Sequence, residues 1–131
     1  MTLVLDSSVF LAACSADDGF GAFGTEDLVA PYFMWTESLS ALHEAFWRHE
    51  VSRENAEFAL GRFATAPVKP RSHRRLTREA WNVAERHGWA KTYDAEYVAL
   101  AALLSCRLVT SDLRLRRGAD RLGFVITPEE I

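Results

Sequence analysis

The sequence predicts an α/β domain built on a parallel sheet, and three features of the residues predict it. Short apolar runs of strand length alternate with longer stretches of helical spacing. Strand, acid and helix follow one another directly at the start of the chain and again near its end. At 131 residues the chain fits one domain of ordinary size, with no internal repeat, low-complexity segment or interdomain linker.

Taken in order, Thr2 to Leu5 is an apolar run ending at Asp6, read as a buried strand, and Ser7 to Cys14 continues with helical composition. Asp17 to Gly24 is a glycine-rich loop. Leu28-Val29-Ala30 forms a second strand closed by Pro31. From about Trp35 to His49, helical spacing of Leu39, Leu42 and Phe46 predicts a helix. Ser52 caps a further helix to Ala64, with Asn55 and Glu57 outward. Pro67 to Pro70 can only be an edge strand, because proline lacks the amide a ladder needs.

Thr77 to His87 is a helix stopped by Gly88. Asp94 opens a helix to Leu104 whose Ala, Val and Leu residues surround it, so it is expected to be buried. Arg107 to Thr110 is a strand leading to Asp112, Leu113 to Arg117 a short helix, and Gly123 to Ile126 the last strand.

Apolar residues make up 49% and charged residues 25%, the balance of a folded globular chain. The net charge of -3 offers no global attraction to nucleic acid, so any such surface must be a local basic patch. Cys14 and Cys106 fall in apolar segments and form neither a disulfide framework nor a zinc pattern, which suits a reduced cytoplasm. Leu11-Ala12-Ala13-Cys14 imitates a lipoprotein cleavage site, but no basic residue precedes it and Asp6-Ser7-Ser8 interrupts the apolar run. No run approaches the ~18 apolar residues of a membrane span.

Parallel sheets bind ligands beyond the carboxyl ends of their strands. Asp6 and Asp112 stand there, Glu37 lies near the start of the helix after the second strand, and Asp94 begins a helix. Taken singly, each aspartate has an ordinary role as a helix cap, and Glu37 as a first-turn acid. Four acids at one sheet edge would repel and raise one another's pKa unless a cation lay among them. Oxygen donors without histidine or thiolate select a hard ion, magnesium or manganese. Such an ion suits phosphodiester hydrolysis without a protein nucleophile.

Val4-Leu5-Asp6-Ser7-Ser8-Val9 and Thr36-Glu37-Ser38-Leu39-Ser40-Ala41-Leu42 resemble the first two motifs of PIN domains. Tyr93-Asp94-Ala95-Glu96-Tyr97-Val98-Ala99-Leu100-Ala101 resembles the third and Leu108-Val109-Thr110-Ser111-Asp112 the fourth, and the resemblance runs from Thr2 to Ile126. The nearest subgroup is the VapC-like toxins of type II toxin–antitoxin pairs. The resemblance implies a PIN-like three-layer α/β/α sandwich with a mainly parallel five-stranded sheet in the order 3-2-1-4-5. It also implies a metal-dependent endoribonuclease, a VapB-like antitoxin that silences it, an RNA substrate and a homodimer. By motif matching, Asp6, Glu37, Asp94 and Asp112 carry over as metal ligands or water-positioning acids, and Ser8, Thr110 and Ser111 as hydroxyl support. Glu44, seven residues beyond Glu37 on nearly the same helix face, is the alternative second acid.

Other motifs point elsewhere. Gly19-Phe20-Gly21-Ala22-Phe23-Gly24 spells a dinucleotide fingerprint, but it follows a helix and precedes a strand, so no nucleotide cofactor is expected. His43, His49, His73 and His87 lack metal-ligand spacing. Trp35, Trp47, Trp81 and Trp89 read as core or interface residues, with Trp47 as an antitoxin or dimer contact. The run Arg71, His73, Arg74, Arg75 and Arg78 reads as a solvated face. Lys91, Arg114, Arg116 and Arg117 flank the acidic motifs and are the expected phosphate contacts. A receiver-like signalling domain needs paired acids after the first strand and a lysine on the last, and both are missing. A haloacid-dehalogenase-like phosphatase has Ser8 in place of its second aspartate. A PIN fold that binds RNA or protein without turnover is the remaining rival.

Overall fold

The computed structural model describes all 131 residues. Strands β1 (Thr2–Leu5), β2 (Asp27–Ala30), β3 (Val68–Pro70), β4 (Arg107–Val109) and β5 (Val125–Ile126) form one sheet in the order β3-β2-β1-β4-β5. Every pairing is parallel, so the sheet is wholly rather than mainly parallel. In the central strand, Leu3 faces Leu28 on one side and Arg107 on the other, and Val4 faces Val29 and Leu108. Leu3, Val4, Leu5, Val29, Ala30, Leu108 and Val109 are all buried, as strands covered on both faces must be.

Six helices connect the strands: α1 (Ser7–Ser15), α2 (Phe33–Trp47), α3 (Arg53–Phe63), α4 (Leu76–His87), α5 (Tyr93–Leu104) and α6 (Leu113–Gly118). Parallel crossovers are right-handed almost without exception. The chain steps from β1 to β2 to β3 in one direction, then passes back over β1 to β4 and β5. That reversal puts α1, α2 and α3 on one face, where they pack on one another, and α4 and α5 together on the other. The order reverses between β1 and β4, and there the carboxyl ends of two strands open a crevice. The order also differs from the 2-1-3-4-5 arrangement of receiver-like folds.

Several sequence expectations shift by a residue or two for local reasons. α2 starts at Phe33, two residues before Trp35, directly behind Pro31. α5 starts at Tyr93, and its N-cap position is Thr92, not Asp94. β5 begins at Val125 because Gly123, at φ +78°, closes a 3-10 turn over Asp120–Leu122. The proline-bounded β3 pairs only with β2, so Pro70 sits on an edge strand where its missing amide is tolerated. Ser52 accepts from the Asn55 amide at 3.1 Å, the expected cap. α5 buries Ala95 and Tyr97 through Ala101, as its all-round apolar sequence requires.

α2 buries Met34 and Ser38, and Leu42 is partly buried against the core. Leu39 is 49% exposed, and with Leu42, Phe46 and Leu60 of α3 it lines an apolar surface groove. The glycine run lies between α1 and β2, with a 3-10 turn over Gly21–Phe23. Gly19, at φ +59°, lies under the Arg62 guanidinium, which donates to the Ala16 carbonyl at 2.6 Å. A Cβ at Gly19 would come within 2.8 Å of that group, so the glycine serves a loop-to-α3 clamp. Cys14 is buried in α1 and both cysteines are free thiols. No helix is long and apolar enough to cross a membrane.

Candidate active site

Three polar or charged side chains are buried in the molecule: Asp6, Thr110 and Ser38. Two of them meet at the crevice. Asp6, 5% exposed, leaves β1 and caps α1, accepting from the Val9 amide at 3.1 Å. The same oxygen accepts from the Ser8 hydroxyl at 2.6 Å, and the other accepts from Thr110 at the end of β4. Each hydroxyl also receives a backbone amide: Ser8 from Ser111 at 3.1 Å, Thr110 from Asp112 at 3.0 Å. The two strand ends are thereby laced together around one carboxylate. Ser111 takes part through its amide, not through the hydroxyl that motif matching suggested.

Asp112 caps α6, accepting from the amides of Arg114 at 2.9 Å and Leu115 at 3.2 Å. Asp94 differs from both. It stands at the second residue of α5 and no protein group donates to it, so helix capping does not account for it. Glu37, half-buried on α2, accepts from the buried Tyr97 hydroxyl at 2.6 Å. Glu44 is exposed and pairs with Arg48 at 3.2 Å, away from the other acids.

Electrostatics ties the four acids together. Burial raises the Asp94 carboxyl above its ordinary value, and the charges of Asp112 and Glu37 raise it further, partly offset by Arg114. Burial also raises Asp6 against its three hydrogen bonds, and the Asp94 charge adds to the rise. Glu96, one residue from the matched aspartate's neighbour Ala95, is raised by burial and then by Glu37. Burial and the Glu37 carboxylate hold the Tyr97 phenol firmly protonated, fixing it as a donor. Asp94 is thus the common neighbour of the other three carboxylates.

Lys91, Tyr93, Asp94, Glu37 and Arg114 line one cleft of about 500 Å³. Arg114 also lies 3.7 Å from Asp112. Arg117 is exposed on α6 and pairs with no acid, whereas Arg116 is held by Asp120 at 2.6 Å and Glu130 at 3.0 Å. Of the four flanking cations, Arg116 is therefore committed to a structural clamp on the C-terminal turn.

The donor chemistry fits a hard divalent cation: oxygen ligands, mutual repulsion, and one acid free of protein donors. No three acids stand ready-placed to share an ion. Coulomb repulsion spans the cleft at distances longer than coordination, so these two observations describe different ranges.

The fold and these motifs define a PIN domain. The PIN-domain family matches residues 3–121, and the chain belongs to it. Its relatives include VapC ribonuclease Mb0985 of Mycobacterium bovis, 32% identical over 114 residues, spanning 86% of this chain and 87% of that protein. Ribonuclease VapC9 of Mycobacterium tuberculosis matches to the same extent. Among solved structures, PAE2754 from Pyrobaculum aerophilum superposes with a TM-score of 0.72 at 21% identity, covering 99% of this chain and 94% of that one. VapBC2 from Rickettsia felis, solved bound to a DNA fragment from its promoter, gives 0.68 at 13% identity and 97% coverage of both chains.

Proposed function

We propose that this chain is a Mg²⁺-dependent endoribonuclease toxin, in which Asp6, Glu37, Asp94 and Asp112 hold the metal and position the attacking water. The observation that carries it is Asp94, a half-buried carboxylate without a protein donor, raised first by burial and then by the charges of Asp112 and Glu37. Such a group is stabilised by a cation and costs stability without one. Manganese satisfies the same oxygen donors.

When bound, the ion supplies an activated water at neutral pH and charge stabilisation for the phosphoryl oxygens. The chain does the rest. Ser8 and Thr110 lock the Asp6 carboxylate in one orientation. Tyr97 does the same for Glu37. Lys91 and Arg114, on the cleft wall, neutralise backbone phosphates against an acidic floor. Arg117 extends that basic edge along α6.

The relatives named VapC ribonucleases and the VapBC2 structure support a VapB-like antitoxin as partner. The apolar groove between α2 and α3, with Trp47 74% exposed beside it, is the surface we assign to that antitoxin. A homodimer and a cytoplasmic location complete the reading. The rival, a PIN module that binds without cleaving, is favoured by one observation, the lack of three ready-placed acids.

The test is cleavage of bacterial total RNA by antitoxin-free protein, with magnesium, with EDTA, and with Asp6→Asn and Asp94→Asn. Discrete magnesium-dependent fragments, lost with EDTA and in both variants, are expected. RNA binding without cleavage in either metal would establish the module instead.

A further inference from the structure

The aromatic residue Trp81 is out of place for a core side chain. α4 buries Leu76, Ala80, Val83 and Ala84, which define its inner face, and Trp81 is 59% exposed on the other side. It lines a groove of about 780 Å³ together with Arg74, Arg78, Thr92 and Glu96. Neither Arg74 nor Arg78 is within 4.0 Å of any carboxylate oxygen; the neighbouring acid, Glu79, is taken by Arg86 at 3.2 Å. Both guanidinium groups are exposed near the amino end of α4, where the helix field disfavours cations. Their placement therefore does not serve the stability of α4.

The groove adjoins the acid cleft. Thr92 lines the groove, while Tyr93 and Asp94, the next two residues, line the cleft. The topology explains the adjacency. The arginine-rich segment follows the carboxyl end of β3, and in an all-parallel sheet that is the edge bearing Asp6 and Asp112.

We propose that Trp81, Arg74 and Arg78 form a single-stranded RNA subsite, one base stacking on Trp81 while the flanking phosphates meet the two arginines. The inference rests on the ribonuclease reading and extends it. An exposed ring beside unpaired guanidinium groups is the usual combination for sequence-tolerant strand binding. The charge is complementary locally: two arginines face one acid, Glu96, on the groove wall, although the chain as a whole is net negative. An apolar protein face would meet one aromatic ring inside a charged rim, a poor match for burial.

The experiment uses the full chain and a fluorescein-labelled single-stranded RNA of about 10 nucleotides, within the span of one strand-binding site. Anisotropy is read in EDTA across a salt series, and KM and kcat for cleavage are read in Mg²⁺. Trp81→Ala is expected to weaken binding about 10-fold, within the range for loss of one stacked base, with Trp81→Phe restoring most of it. In Mg²⁺ the same loss falls on KM rather than kcat. The Arg74→Gln/Arg78→Gln variant is expected to reduce the salt slope by about 1.4, at ~0.7 per phosphate on a single strand.

Unchanged anisotropy, salt slope and KM in these variants would overturn the subsite, as would a Trp81→Ala defect confined to self-association or antitoxin binding. Where EDTA itself abolishes binding of the unsubstituted chain, the KM ratio decides. A chain that neither binds nor cleaves RNA overturns the ribonuclease reading, and this inference with it.

Discussion

Thr110 donates to Asp6 across the β1–β4 junction, joining two buried polar groups 104 residues apart in the chain. Thr110 also accepts from the Asp112 amide, so one hydroxyl orients two of the four acids. Thr110→Val keeps the shape and removes both bonds. We expect a loss of about 1–3 kcal/mol in urea unfolding at neutral pH, the cost of leaving a buried acceptor unmatched. Thr110→Ser should recover most of it.

The Asp94 carboxyl is raised in the folded chain, which sets the sign of a pH effect. Between its unfolded and folded pKa values the folded state binds more protons, so stability falls as pH rises through that window. Asp94→Asn should therefore stabilise the metal-free protein at pH 7 by about 0.5–1 kcal/mol, the scale of a solvent-screened charge interaction. Below the ordinary aspartate range the advantage should vanish. Thermal melts in EDTA at both pH values check this.

Magnesium should reverse that ranking. An ion that binds only the folded chain stabilises it by mass action, about 2.7 kcal/mol at 100 times its Kd. The unsubstituted chain should gain in Tm with added Mg²⁺ and Asp94→Asn should gain little. Equal shifts in both would remove Asp94 from the ligand set.

Glu37 and Glu44 are separable by kinetics. Glu37→Gln should lower kcat at least 100-fold, as an acid of the cluster, and Tyr97→Phe about 10-fold, in the range for losing a ligand's supporting hydrogen bond. Glu44→Gln should stay within about twofold, since it removes only an exposed pair with Arg48.

The α2–α3 groove yields a test independent of cleavage. Leu39→Asp places a charge in an apolar wall, and antitoxin affinity should fall by about 2 kcal/mol or more if this is a central contact. Titration of antitoxin against the variant measures it, with RNA cleavage by the free protein unchanged.

Much of this was legible in residue order. Strand–acid–helix junctions placed Asp6 and Asp112, because a parallel sheet sends every strand's carboxyl end to one edge. All-round apolarity marked α5 as buried. Helical spacing of Leu39, Leu42 and Phe46 located α2 but not its surroundings: the row lines a groove with Leu60, and within it Leu42 also packs against the core. Periodicity reports that a stripe exists, not what covers it. The arginines after β3 read as plain solvated charge because, although Arg78 and Trp81 are neighbours three apart on α4, their approach to Thr92 depends on how α4 packs along α5. Arg116 looked like its neighbours in sequence, and only its fork with Asp120 and Glu130 sets it apart.

The lacing of Asp6 to Thr110 has a consequence for the order of synthesis. Asp6 emerges from the ribosome 104 residues ahead of its partner Thr110. Until β4 inserts beside β1, the sheet has no switch point, Asp112 has no place to stand, and the acids remain apart. A nascent chain ending before Arg107 thus carries at most three of the four carboxylates, without their assembly. On the proposed reading, the four-acid centre assembles only after the β4 segment and Asp112 have been made and paired beside β1, so a chain still short of them has no working site.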